Sequence, residues 1–398
     1  MKNYKYFIVG GGMTGSSAAM AIRKKDSLGS IAMFTEEPYG PYNRPPLTKG
    51  LWNGMLIEDI VRPIEKYNVD LHLETRVDDI NPEEKSLLTE HNELFHYEKL
   101  LLATGGHPVH LPNIPEGVIF YRTRGDFHKV KKLTESKRKF CVIGAGFIGS
   151  EIAAALNKVG ANVTMIFPEI GISGLVFPDD LSEFLNDYYK DKGVNVLAGN
   201  LVDSINKKEG NYIVRYKDIN TKTISEDMFD AVVVGIGIKP NTELAEKAGI
   251  EVDNGILVNE YLQTNFSDIY AAGDVANFFH KGLGHRTRVE HEDNANTMGS
   301  IAGENMAGEK RVYDHFPFFY SDLFDLGYEA VGELNKDFEI YENWIEPFKK
   351  GTIFYLKDDR VRGLIFWNLW EKVDQGRDLI SQGDTVQMSD LLGTFTDN

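Results

Sequence analysis

The residues best suited to chemistry form a pattern that occurs twice. "VGGGMTG" places glycines at Gly10, Gly12 and Gly15, and Glu36 lies 21 residues after Gly15. "IGAGFIG" places glycines at Gly144, Gly146 and Gly149, and Glu169 lies 20 residues after Gly149. Each residue type has its own reason. The first glycine allows a tight turn, the second lets a pyrophosphate approach the backbone, and the third lets a helix pack closely on a strand. The acid accepts hydrogen bonds from a ribose diol. The helix after the glycines offers its N-terminal amides to phosphate.

The elements that must position these residues are legible on either side. "KYFIVG" and "KFCVIG" read as apolar strands before the two glycine loops, and "SSAAMAIRKKD" and "SEIAAALNKVG" read as helices after them. "SIAMF" and "NVTMIF" are strands ending just before the two acids. A strand, glycine turn, helix, strand and acid in order is the context the motif requires. Two such sites in one chain point to two different dinucleotides, and a flavin with a nicotinamide is the natural pair because hydride passes between them. The second site suits NAD: Glu169 would repel a 2′-phosphate, and no arginine stands at that strand end.

Between the first acid and the next elements lies "GPYNRPPLTKG". With Pro38 just ahead of it, Pro41, Pro45 and Pro46 stiffen it, and it carries Arg44 and Lys49. Proline fixes φ and removes an amide donor, so this is a stiff loop and neither helix interior nor central strand. Further on, "EKLLLATGG", "AVVVGIGIKPN" and "DIYAAGDVA" are strand-to-turn signals. Asp274, at the end of the last, suits either a ribityl contact or a helix N-cap.

Composition bounds the rest. The 398 residues suggest two or three domains. The net charge of −17 is opposite to that of a protein wrapping a phosphate backbone. The short basic clusters "KVKK" and "SKRKF" read as solvated faces. Cys141 is the single cysteine, so no disulfide can form within the chain, and a thiol–disulfide cycle is excluded there. It reads as a small core hydrophobe in a reducing compartment. A strand begins almost at once, and no apolar run is long enough for a bilayer span. The expectation is a cytoplasmic protein with no metal site and no nucleic-acid partner.

In this order the signatures "ATGG", "GAGFIGSE", "GIGIKPN" and "YAAGDVA" resemble the two-dinucleotide FAD/NAD(P)-dependent oxidoreductase family. "PYNRPPLTKGLW", "IFPE", "RVEHEDN", "IAGENMAG", "YSDLFDLGYEAVG" and "GLIFWN" resemble its apoptosis-inducing factor branch. The resemblance implies that the proline-rich loop wraps the flavin, with Arg44 on the phosphate–ribityl side and Lys49 near flavin N5. It places Glu151 opposite Lys49, and a desolvated ammonium does need a carboxylate partner. For FAD it implies contacts from Gly10, Gly12, Gly15, Glu36, Arg44, Lys49, Val77, Thr104, Gly105, Arg122, Asp274, Glu290 and His291. A satisfied interior histidine is the alternative for His291, and an exposed loop lysine for Lys49. For NAD it implies Gly144, Gly146, Phe147, Ile148, Gly149, Glu151, Glu169, Gly237 and Glu329; Tyr320, among the aromatics crowding residues 316–324, is the candidate for a wall over the nicotinamide side, with core the alternative reading of that cluster. Phe147 would cover the flavin face, and Glu329 would hold the carboxamide.

The expected fold is α/β: two doubly wound dinucleotide-binding domains plus a smaller C-terminal α+β domain with an antiparallel sheet. The boundaries read as 1–116 and 241–309 for FAD, 117–240 for the inserted NAD domain, and 310–398 for the last. "KDDR" reads as a hairpin turn and "EKVDQGRDLISQG" as a terminal helix. Compared with eukaryotic members of the branch, the chain is expected to be a compact form without a targeting segment or a long polar C-terminal insertion. Glu292 and Asn294 stand where relatives often carry histidines, and these departures argue against nuclear, DNA-binding or apoptotic roles. The expected reaction is hydride transfer from NADH to FAD, with electrons passing to an unidentified acceptor: a quinone, a small molecule or oxygen. Two alternatives stand beside it. One is a reductase of a small iron–sulfur protein such as a ferredoxin or rubredoxin. The other is an NADH-sensing homodimer with a long-lived charge-transfer complex and little turnover.

Overall fold

The structure is a computed structural model that describes residues 2–395. It divides into two compact units. One runs to Arg44 and includes 56–107 and 239–319; the other comprises 45–55, 108–238 and the chain from Tyr320 on.

In the first unit the strand Lys2–Val9 begins exposed and ends buried. It lies between two parallel neighbours, Ile31–Phe34 and Leu94–Leu102, with Phe7 opposite both Ala32 and Leu100. A strand covered on both faces needs a continuous apolar run, which "YFIV" supplies. Val69–His72 extends the sheet beyond Ile31–Phe34. On its edge away from Lys2–Val9, Leu94–Leu102 serves two partners along its length. Its first half pairs antiparallel with Ser86–Thr89, which pairs in turn with Val77–Asn81, and its second half pairs parallel with Ile269–Ala271. Chain from beyond residue 260 thus completes the sheet that residue 2 begins.

The helix Met13–Lys25 supplies the crossover after the first glycine loop, and the helix Glu292–Met306 packs on it. A Cβ at Gly299 would stand 2.4 Å from the Thr14 carbonyl oxygen, and one at Gly303 2.4 Å from that of Ala18. Glycines one turn apart therefore set how closely the two helices approach.

The second unit holds a parallel sheet in the order Asn195–Leu197, Asn162–Ile166, Lys139–Ile143, Ala231–Val234, Ile119–Phe120. Cys141 lies in its central strand, fully buried, and burial pushes its thiol pKa up. A three-stranded antiparallel sheet, Asn200–Lys208, Asn211–Asp218 and Ile224–Phe229, accompanies it.

Toward the C-terminus five antiparallel strands follow in the order Phe318–Leu323, Leu326–Gly332, Arg360–Trp367, Lys350–Lys357, Glu339–Glu346. The turn at Asp358 and Asp359 has φ of 54° and 57°, the left-handed pair whose twist suits a two-residue hairpin. The helix Val373–Gln382 ends at Gly383 with φ 64°. Residues 45–55, grouped with the flavin domain by sequence, fall in the same compact unit as the second glycine loop and the C-terminal strands.

Candidate active site and dinucleotide cradles

The two glycine loops are built alike. Gly10 has φ 118°, and a Cβ there would lie 2.1 Å from the Ala103 carbonyl oxygen; one at Gly15 would lie 2.1 Å from that of Gly10. In the second loop Gly144 has φ 97° with Gly235 O at 2.4 Å, and a Cβ at Gly149 would meet Gly144 O at 2.2 Å. The middle glycines differ: a Cβ on Gly12 or Gly146 would meet no atom within 4 Å. Both are extended and both are helix N-caps with no capping side chain. Neither helix has an acid in its first turn. The fold thus requires glycine at the first and third positions, whereas at the second only an approaching ligand would. That open cradle over helix N-terminal amides fits a dinucleotide pyrophosphate in each unit. Glu36 stands exposed two residues after Ile31–Phe34, and Glu169 half-buried three residues after Asn162–Ile166.

The first unit also positions Arg44. Its Nη2 lies 2.7 Å from Glu37 Oε1, and the Tyr42 hydroxyl donates to Glu37 Oε2 at 2.7 Å. Burial works against the Arg44 charge, but Tyr42, Glu37 and Asp274 outweigh it and hold the pKa above its ordinary value. Of the adjacent acids, Glu37 serves the arginine and leaves Glu36 facing out; sequence reasoning assigned Glu37 no role.

Asp274 is half-buried in the single turn Gly273–Val275 after Ile269–Ala271, with a strand, not an α-helix, next in the chain. Arg288, also unassigned by sequence, donates to the Asp274 carbonyl at 3.1 Å and to Glu290 Oε1 at 2.5 Å. His291 stacks on Phe319 at 4.1 Å, and burial pushes its pKa down to about 4 against the pull of Asp274 and Asp293. Val77 is buried at its strand start. Thr104 Oγ1 donates to the Asn241 carbonyl at 2.9 Å while the Asn241 amide returns a bond to the Thr104 carbonyl, and Gly105 has φ 63°.

In the second unit Lys49 and Glu151 come together. Lys49 Nζ lies 2.6 Å from Glu151 Oε1, with side-chain exposures of 13% and 4%. Glu151 sits on the helix Phe147–Lys158, so the helix that opens at the second cradle carries the carboxylate. Two hydroxyls that sequence reasoning missed also donate to it: Thr48 Oγ1 to Oε2 at 2.5 Å and Ser321 Oγ to Oε1 at 2.6 Å. The Tyr320 ring lies 5.2 Å from Lys49 Nζ, within cation–π range. Trp52, Asn53, Lys158 and Asp322 wall a small recess beside the pair. Desolvation raises the Asp322 pKa, Lys49 opposes the shift, and Glu151 adds to it.

Phe147 is half-buried and Ile148 exposed in the first turn of the same helix, and Gly237 has φ 97°. Arg122 is half-buried ahead of the helix Arg124–Thr134, its amide donating to Asp126 at 3.2 Å. Glu329 Oε2 accepts the Glu371 amide at 3.0 Å, so this carboxylate ties down the chain before Val373–Gln382. Burial raises its pKa. Among the described residues no cluster of His, Cys, Asp or Glu is arranged to hold a metal, and no helix is long and apolar enough to cross a membrane.

Comparison with known proteins agrees with this geometry. Residues 4–299 match the family described as pyridine nucleotide-disulphide oxidoreductase, and residues 335–382 match the C-terminal region of mitochondrion-associated apoptosis-inducing factor. The chain is 33% identical over 432 residues to apoptosis-inducing factor 1, mitochondrial, of Dictyostelium discoideum, covering 97% of this chain and 80% of that one. It is 32% identical over 405 residues to the 5,5'-dehydrodivanillate O-demethylase ferredoxin reductase subunit of a Sphingobium species, covering 100% and 98%. Putidaredoxin reductase, solved as a covalent complex with putidaredoxin, superposes with a TM-score of 0.90 at 27% identity, covering 99% and 96%. With its paired cradles, its antiparallel C-terminal sheet and a family match spanning most of its length, the chain belongs to the FAD- and NAD(H)-dependent pyridine nucleotide-disulphide oxidoreductase family.

Proposed function

We propose that the chain is an NADH oxidoreductase that passes electrons to a quinone, a small molecule or oxygen, with Lys49 and Glu151 at its catalytic centre. The observation that carries this is the buried Lys49–Glu151 pair at 2.6 Å, built on the helix that opens at the second cradle. FAD, when bound, supplies the acceptor for the hydride of NADH. The chain does the rest. The loop at Gly10–Gly15 with Glu36 and Arg44 holds FAD, joined by Val77, Thr104, Gly105, Arg122, Asp274, Glu290 and His291. The loop at Gly144–Gly149 with Glu169 holds NADH, and the Glu169 charge disfavours a 2′-phosphate. Lys49 presents a fixed cation where negative charge increases during the reaction. Glu151 keeps that ammonium placed in a site sheltered from water. Phe147, Ile148, Gly237 and Tyr320 line the nicotinamide side. Glu329 already accepts a backbone amide, so its part there would have to use its remaining acceptor capacity.

A second reading, reduction of a small iron–sulfur protein, is favoured by the near equal lengths of this chain and the two ferredoxin-type reductases it matches. The net charge of −17 weighs against docking an acidic ferredoxin.

An anaerobic titration of the purified holoprotein with NADH is the test. The visible flavin absorbance should fall to completion at one equivalent of NADH, with NADPH far less effective. Re-oxidation by oxygen or a quinone at least as fast as by a reduced-cluster-forming iron–sulfur protein supports the first reading, and the reverse order supports the second. Absorbance that NADH leaves unchanged overturns both. Molecular mass measured along the same titration tests for an NADH-promoted homodimer.

A further inference from the structure

Glu151 makes more bonds than an ion pair needs. Lys49 and Ser321 converge on its Oε1 at 2.6 Å each, and Thr48 occupies Oε2 at 2.5 Å. Donor counting fixes the direction of this network. A carboxylate only accepts, so the single hydroxyl protons of Thr48 and Ser321 both point at Glu151. The result is a carboxylate held by two hydroxyl donors and an ammonium, with Ser321 and Lys49 on Oε1 and Thr48 on Oε2.

The Ser321 end is rigid: Ser321 is 1% exposed in the strand Phe318–Leu323, which is hydrogen-bonded to Leu326–Gly332. The Thr48 end is rigid too. Thr48 follows a proline pair in a one-turn helix, and its loop is pinned where Trp52 Nε1 donates to the Leu47 carbonyl at 2.8 Å. A flexible lysine head has many places to go; a carboxylate gripped from two fixed sides gives it one.

We propose that Thr48 and Ser321 are positioning residues that orient Glu151 and thereby hold Lys49 where its charge tunes the bound flavin. The proposal rests on the catalytic role given above to Lys49 and Glu151. Removing a hydroxyl leaves the carboxylate charge less neutralised and draws the Lys49 ammonium toward it. Both effects disfavour the added negative charge of a reduced flavin, so its midpoint potential falls.

The experiment compares the near-isosteric Thr48→Val, Ser321→Ala and the conservative Thr48→Ser with the wild type and with Lys49→Met, all as holoproteins. The readouts are midpoint potential by spectroelectrochemistry, KM for NADH, and the rate of flavin absorbance loss in stopped flow. Thr48→Val and Ser321→Ala should each lower the potential and slow flavin reduction about tenfold with KM little changed. Thr48→Ser, which keeps the hydroxyl, should show wild-type values. If Lys49→Met shifts the potential while the hydroxyl variants leave it unchanged or raise it, the positioning role is overturned and the catalytic reading stands. If Lys49→Met itself changes neither potential nor rate, the catalytic reading falls, and the positioning role with it. Thermal melts of the flavin-free proteins identify any variant whose fold is lost; Thr48→Val, which keeps the side-chain shape, then carries the test.

Discussion

His291 stacks on Phe319, and its pKa of about 4 makes a residue-scale prediction about pH. In the unfolded chain a histidine takes up its proton near the ordinary 6.5; in the folded chain His291 does so only near 4. Between those values the unfolded state binds more protons, so stability rises with pH and is lost as pH falls from about 6.5 toward 4. The shift corresponds to about 3 kcal/mol at the acid end. Asp274 and Asp293 already limit it, since both pull the pKa upward. His291→Phe keeps the ring stack and removes the titration. Urea unfolding at neutral pH and near pH 4.5 should show a smaller acid loss in the variant. Equal losses would mean that His291 is not desolvated as described. At this scale the sequence was readable only in part. Glycine positions carry their own backbone logic, whereas the partner of Arg44 was not evident until Glu37, rather than Glu36, was seen against it at 2.7 Å.

At the scale of elements, the glycine loops separate folding from binding. Gly12 has open space where a side chain would project, whereas Gly10 and Gly15 have backbone oxygen 2.1 Å away. Gly12→Ala should therefore leave the melting of flavin-free protein nearly unchanged, within about 0.5 kcal/mol. Its FAD affinity should fall by about 5- to 150-fold, since crowding of about 1–3 kcal/mol would act on the ligand alone. Gly15→Ala should lower stability in the flavin-free protein as well. Melting curves with a flavin-binding titration check both, and a Gly12→Ala protein that binds FAD normally would remove the pyrophosphate from that cradle. The strand, loop and helix units were legible because each is local: apolar runs, turn glycines and an acid some 20 residues on all lie within one crossover. The hairpin at Asp358–Asp359 was legible for the same reason. Asp274 was not settled by local pattern; an N-cap and a ribityl contact looked alike until a single 3₁₀ turn followed by a strand removed the α-helix.

At the scale of the whole molecule, the family is named for disulphide chemistry, yet the chain has one cysteine, fully buried, its thiol pKa pushed up by burial. Electrons leaving the flavin therefore have no thiol route within the chain. Cys141→Ala should cost about 1 kcal/mol of stability through a small cavity and leave NADH-driven flavin reduction within about twofold of wild type. Stopped-flow traces of the variant decide it; a folded protein that NADH no longer reduces would contradict the reading. The sequence by itself determined the class of protein: a repeated dinucleotide-binding unit, an acid suited to NAD at the second, and a stiff loop carrying Arg44 and Lys49. These are properties of backbone geometry over short separations, and residue type reveals them directly. Only the tertiary structure decided what Lys49 and Glu151 rest on, because Glu151 is 102 residues from Lys49 and 170 from Ser321. It also showed that Glu329 holds a backbone amide 42 residues away. Hydrogen bonds across such separations are set by how buried strands and helices stack, and no periodicity or local spacing encodes that stacking.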